Sequence, residues 1–201
     1  MTTTIQIRPE HLRALFAVAP TKDVRYYLNG AHIETGAFGA YGVATNGHCM
    51  IVVRLHSEPM PAGRLYAPAC WKLPAGNSLL WTLTTTINEE TGDSVCTLDH
   101  MDGTLRYTGD LGHYPDWRRQ VPRSVDLIAA AFASQVTDPI NKAAKLLGCK
   151  NGAMFAMNGP RNASLVEFPG ADAFGVAMPM RHELNTAPPD WFTAVPLQVA
   201  A

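Results

Sequence analysis

Apolar positions along this chain recur at two spacings, and the changes between them lay out the elements. Ile5 to Ile7 reads as a short opening strand. Leu12, Leu15, Phe16 and Ala19 then recur at helical spacing behind Pro9, whose missing N–H is harmless in a first turn, until Pro20 stops the run. The organising stretch follows, Asp23 to Met50. Its β-branched and aromatic positions Tyr26, Leu28, His32 and Ile33 predict one strand, Gly36-Ala37-Phe38-Gly39 a turn, and Val43 to Val53 a second strand interrupted at Asn46-Gly47. Asn-Gly predicts positive φ and a tight bend, so His48, Cys49 and Met50 are re-aimed as the chain leaves it.

Beyond Arg54 a Pro-rich loop, His56 to Gly63, leads into a strand from Arg64 to Ala67. Between Pro68 and Pro74 there is room for no more than about two helical turns. Leu79 to Ile87, Ser94 to His100 and Thr104 to Tyr107 read as strands, with Asp102-Gly103 as a hairpin signal. Tyr114 to Pro122 has no hydrophobic period and reads as a boundary between units. From Ser124 a helical pattern runs through VDLIAAAFASQV. Asp138-Pro139 then reads as a cap and first-turn pair for a second helix, Ile140 to Leu147, ended by Gly148. Ala153 to Met157, Ser164 to Phe168 and Phe174 to Met178 read as strands.

A hydrophobic content of 47% in 201 residues is enough for a real core of one or two domains. The net charge of −1 argues against a chain permanently wrapped around nucleic acid, although a local basic face fits within a neutral total. The four cysteines form no CxxC pair and signal neither a zinc site nor a disulfide framework; they read as free thiols of a reducing cytoplasm. The N-terminus has no apolar core of signal-peptide length, and no run approaches a membrane span. The expected location is cytoplasmic. His48-Cys49 raises a thiol nucleophile, but neighbours in a strand point to opposite faces, so this imidazole does not reach its own neighbour's sulfur. Phosphate-loop, HExxH and GxSxG motifs are absent, and the seven histidines have no ligand spacing. The reading is non-enzymatic, with no cofactor and no metal.

Four segments, in order, resemble the bacterial β sliding clamp, the processivity subunit of DNA polymerase III: Asp23 to Gly30 (DVRYYLNG), Val43 to Cys49 (VATNGHC), Tyr114 to Arg119 (YPDWRR) and Val176 to Arg181 (VAMPMR). The resemblance implies an α+β, DNA-clamp-like fold of repeated strand-helix-strands half-units, with antiparallel sheets on one side and helices on the other. It sets residues 1–122 beside the clamp's middle domain and 123–183 beside the second half of its third, leaving 184–201 as a Pro-rich tail. Three half-units result: Ile5 to Leu55, Arg64 to Tyr107 and Ser124 to Arg181. The first clamp domain has no counterpart, and the second half-unit lacks a full helix.

Both walls of the clamp's peptide-binding cleft are retained by motif position. The resemblance implies a cleft of Leu28, Thr45, Gly47, His48, Cys49 and Met50 on one side, Pro115, Arg119 and Gln120 from the linker, and Val176, Met178, Pro179, Met180 and Arg181 from the closing strand. On residue type alone, the methionines read rather as core filler and the two linker arginines as a solvated connection. Asn46 and Cys49 stand where the family has aspartate and arginine, which removes charge from the rim. Arg8, Arg13, Lys142 and Lys145 are the implied DNA-facing cations; as helix residues they also read as ordinary solvated surface.

Two functions follow from this resemblance. In one, the chain binds clamp-interaction peptides of polymerase or clamp-loader proteins without forming a ring, as an adaptor or decoy that a phage or mobile element would encode. In the other it is a processivity clamp around double-stranded DNA, a homo-oligomeric ring in which about twelve half-units would need about four such chains. The tail's Trp191 and Phe192 are further expected to dock near the cleft and compete with partner peptides.

Overall fold

The computed structural model describes residues 1–75, 80–88, 91, 93–110 and 112–181. The tail and its expected docking lie outside them. The first unit runs β1 (Thr2–Ile7), α1 (Pro9–Val18), β2 (Gly30–Gly36), β3 (Gly39–Thr45) and β4 (Cys49–His56). The second runs β5 (Gly63–Pro68), β6 (Trp81–Ile87), β7 (Asp93–His100) and β8 (Gly103–Asp110). The third runs α2 (Ser134–Leu146), β9 (Met154–Ala156), β10 (Ser164–Glu167) and β11 (Ala173–Ala177). The fold is α+β, with antiparallel sheets backed by two helices.

Opening strands are exchanged between the first two units. β1 pairs with β6 in a four-stranded sheet, β1-β6-β7-β8, and β5 pairs with β2 in a seven-stranded sheet, β5-β2-β3-β4-β11-β10-β9. The second sheet crosses the expected boundary near residue 122, because β11 lies antiparallel to β4 from Ala173↔Val53 to Ala177↔Cys49. Where the sheets diverge, the Tyr66 N–H of β5 donates to the buried Thr85 hydroxyl of β6 at 3.1 Å.

Central placement explains the composition of β4. Its first five residues, CMIVV, are all buried, as expected of a strand covered on both faces. Cys49, Ile51 and Val53 face the main core, where α1 contributes Leu12, Leu15 and Val18 and α2 contributes Val136, Ile140, Ala143 and Ala144. Met50 and Val52 face the opposite side and meet Val43, Val176 and Trp117 in a smaller cluster under the linker. The period-two alternation of one strand therefore builds both the core and the floor of the site.

Two expectations are corrected. Tyr26–Leu28 is a 3-10 turn and not the start of a strand; β2 begins at Gly30, after the Asn29 side chain has closed a loop onto the backbone N–H and C=O of Asp23 at 2.7 and 2.9 Å. Between Pro68 and Pro74, with room for no more than about two turns, there is no helix, in keeping with the missing full helix of the second unit. The segment predicted helical from Ser124 is irregular as far as Ala133, and α2 carries Asp138-Pro139 inside it, where the proline forfeits one backbone hydrogen bond. Backbone groups upstream of α2 are committed elsewhere: Ile128 C=O accepts from Gly159 N–H and Ala131 C=O from Met180 N–H, each at 2.8 Å, and Asp126 N–H donates to Asn158 Oδ1 at 3.0 Å. Tertiary partners override the helix propensity of the alanine run. Among the described residues no helix is long and apolar enough to cross a membrane.

Candidate functional site

The β3–β4 bend is shaped by short polar side chains. Asn46 Oδ1 accepts the N–H groups of His48 and Cys49, both at 2.9 Å, while Thr45 Oγ1 accepts from Gly47 N–H and donates to Cys49 C=O. Gly47 has φ of +87°, so glycine is favoured there by conformation; a Cβ would lie 2.9 Å from Arg25 Nη1, the tip of a flexible side chain that can move aside. Arg25 is held over this bend by Asp23, with Nη2–Oδ2 at 2.7 Å. This partner keeps the Asp23 carboxyl down at about 2.

A cavity of about 290 Å³ opens between the bend, the linker and the end of β11. Ten of the fourteen predicted cleft residues line it: Leu28, Thr45, Gly47, His48, Cys49, Met50, Pro115, Gln120, Val176 and Met178. Leu28, Met50 and Val176 are buried at its floor, and Met178 is 43% exposed at its mouth. The Met178 N–H donates to His48 C=O at 2.9 Å, which ties the closing segment to the bend.

The other four predicted residues do not line the cavity. Arg119 points into solvent and pairs with Asp116 at 3.1 Å. Pro179, Met180 and Arg181 continue past the rim, with Met180 held by its N–H on Ala131 C=O. Three residues absent from the sequence prediction do line the cavity: Arg25, Tyr27 and Trp117. All three sit inside the quoted motifs, and Trp117 was legible as a large apolar side chain in an otherwise polar linker. The Arg25 guanidinium, paired with Asp23, is 45% exposed beside Gly47.

Burial pushes the Cys49 thiol up to about 12. Its Sγ donates to Asn46 Oδ1 and is far from the thiolate a nucleophile requires. No cluster of His, Cys, Asp and Glu among the described residues has the arrangement to hold a metal. Of the four candidate DNA-facing cations, Arg8, Lys142 and Lys145 are exposed. Arg13 is half-buried: it donates to Pro74 C=O and lies over the Trp81 ring, 5.2 Å from its centroid.

No sequence family and no curated protein matches the chain. Solved structures do. A sliding clamp (DNA polymerase III subunit beta) from Pseudomonas aeruginosa bound to griselimycin superposes with a TM-score of 0.58 at 16% identity, over 90% of this chain and 66% of that one. The beta sliding clamp of C. crescentus gives 0.59 at 16%, over 90% and 66%. The DNA polymerase sliding clamp of Bacillus subtilis gives 0.60 at 14%, over 90% and 65%. The chain thus has the sliding-clamp fold and spans about two thirds of the length of these proteins.

Proposed function

We propose that this chain is a non-enzymatic, clamp-like replication protein that binds a short peptide segment of a polymerase or clamp-loader protein in the cavity beside the β3–β4 bend, acting in the cytoplasm as a phage- or mobile-element-encoded adaptor or decoy. The observation that carries this reading is the cavity itself. Residues from four separated segments, around Leu28, Thr45 to Met50, Pro115 and Val176 to Met178, converge on one apolar recess of peptide-side-chain size. Its wall holds an adaptable thioether at Met178 and a rigid aromatic at Trp117, a pairing suited to anchoring leucine or phenylalanine.

The test is a labelled peptide containing glutamine, leucine and a phenylalanine-containing end. Affinity should be micromolar, about 8 kcal/mol of binding free energy. Leu28→Ala with Met178→Ala should abolish binding. Because Leu28 is buried, Met178→Ala alone is measured alongside, with thermal melts to confirm folding. Equal binding by wild type and both variants, or no binding by wild type, overturns the reading.

A second reading, a ring around double-stranded DNA, draws support from β8, which among the described residues has a strand neighbour on one side only and so offers the four-stranded sheet for extension by another chain. Solution mass separates the two: a tetramer supports the ring, and a monomer or dimer across the micromolar range with no retention on circular DNA rules it out.

A further inference from the structure

On the other side of Pro115 lies a second cavity, of about 310 Å³, whose lining differs in kind. Pro115 lines both, so a single extended segment crossing this residue would enter each. Where the first cavity is apolar, the second is walled by His32, Glu34, Arg64, Tyr114 and Asp116.

The charges there do not cancel. Glu34 is neutralised by Arg118 at 2.7 Å and Asp116 by Arg119 at 3.1 Å. Arg64, opposite Glu34 in the β2–β5 register, has no ion pair or side-chain hydrogen bond among the described residues. One guanidinium is left over at the mouth. In addition the Tyr114 hydroxyl is shut off from solvent without a hydrogen-bond partner, an arrangement that an acceptor brought into the adjoining space would relieve.

We propose that this second cavity is an anion subsite of the peptide site: a segment seated beside Met178 passes over Pro115 and sets an Asp or Glu carboxylate against Arg64. The inference rests on the peptide-binding reading above and specifies its partner, an apolar anchor followed or preceded at short distance by an acidic residue. A planar guanidinium with free N–H donors suits a carboxylate in two-pronged geometry. Extended chain advances about 3.3 Å per residue, so an acidic residue about two to four positions from the anchor spans the proline.

Matched peptides decide it, with Glu or Gln placed about two, three or four positions to either side of the anchor and binding to the full chain followed by fluorescence polarisation. At one spacing, Glu should bind about three- to fivefold tighter than Gln at about 50 mM salt, the gain expected of a partly exposed pair. That advantage should vanish in Arg64→Gln and at about 500 mM salt. Arg64 is exposed, so the variant should fold, and its thermal melt verifies this. Equal binding of Glu and Gln peptides at every spacing overturns the subsite and leaves the apolar cavity as a peptide site. A Glu advantage that survives in Arg64→Gln also overturns it. Absence of binding by every peptide overturns the subsite and the peptide reading together.

Discussion

The rings of His32 and Tyr114 lie stacked, with centroids 4.6 Å apart and planes 8° from parallel. His32 belongs to β2 and Tyr114 to the connection after β8, so the contact clasps that connection to the seven-stranded sheet one residue before Pro115. Glu34, next on the same face of β2, strengthens the clasp: His32 Nε2 is 3.5 Å away and Arg118 Nη2 is 2.7 Å away. The wall between the two cavities is thereby held in place without regular secondary structure.

This clasp has an acid limit. Hydrogen bonding from His32, then from Arg118, holds the Glu34 carboxyl down at about 2, against burial that pushes it up. A pKa below its ordinary 4.5 contributes stability above that value, and the contribution fades as pH falls from there through about 2. Glu34→Gln should therefore cost up to about 1 kcal/mol near pH 6, discounted because the site is partly solvated, and nearly nothing near pH 2. Urea titrations at the two pH values measure this, and a cost independent of pH would refute it.

The join between β4 and β11 depends on a missing side chain. A Cβ at Gly175 would stand 2.8 Å from the Met50 carbonyl oxygen and 3.3 Å from atoms of Phe168 and Val166. Gly175→Ala should lower stability by about 1 to 3 kcal/mol and weaken ligand binding, because Met50 and Val176 share the cavity floor. Gly36→Ala, where no atom lies within 4 Å, is the control. Equal melting curves for the two variants would contradict the close approach.

Thiol reactivity should divide unevenly. Cys49, Cys96 and Cys149 are buried, with thiols pushed up by that burial, whereas Cys70 is exposed. An aromatic disulfide reagent near pH 8 should modify one thiol rapidly, and Cys70→Ser should remove that phase. Rapid modification of Cys49 in the folded chain would mean that the floor of the first cavity is open.

Trp117 offers an optical report of occupancy. It lines the first cavity at 7% exposure, with the Arg118 guanidinium 4.3 Å from its ring centroid. Peptide binding should change tryptophan emission, and Trp117→Phe should silence most of the change while binding persists by polarisation. An undiminished signal in the variant would place the ligand away from this ring.

Much of this architecture was legible because it is periodic. The α1 stripe, the Gly36 to Gly39 turn and the positive φ at Gly47 all follow from local chemistry, and the structure has them. The alanine run before α2 misled because its helix propensity is local, whereas the bonds that Ile128 and Ala131 make to Gly159 and Met180 are not. Strand exchange between the first two units leaves no mark in either period. Around the cavity, motif position named the bend and the end of β11, which the fold brings together. It included Arg119, which turns outward to Asp116, and omitted Trp117, whose burial depends on Phe174 and Val52 arriving from distant strands.

That exchange also decides how the chain can be divided. Cut in the connection between β4 and β5, the amino-terminal piece would keep β1, whose strand partner β6 lies on the other piece. The carboxyl-terminal piece would keep β5 with the same deficit in reverse. Each half would be a lock holding the other's key, so the two pieces should order only on mixing, as a non-covalent heterodimer. The third unit exchanges no strand and joins by edge addition to β4. Its α2 also buries Val136, Ile140, Ala143 and Ala144 in the same core as Leu12, Leu15 and Val18 of α1, so the three units share one frame.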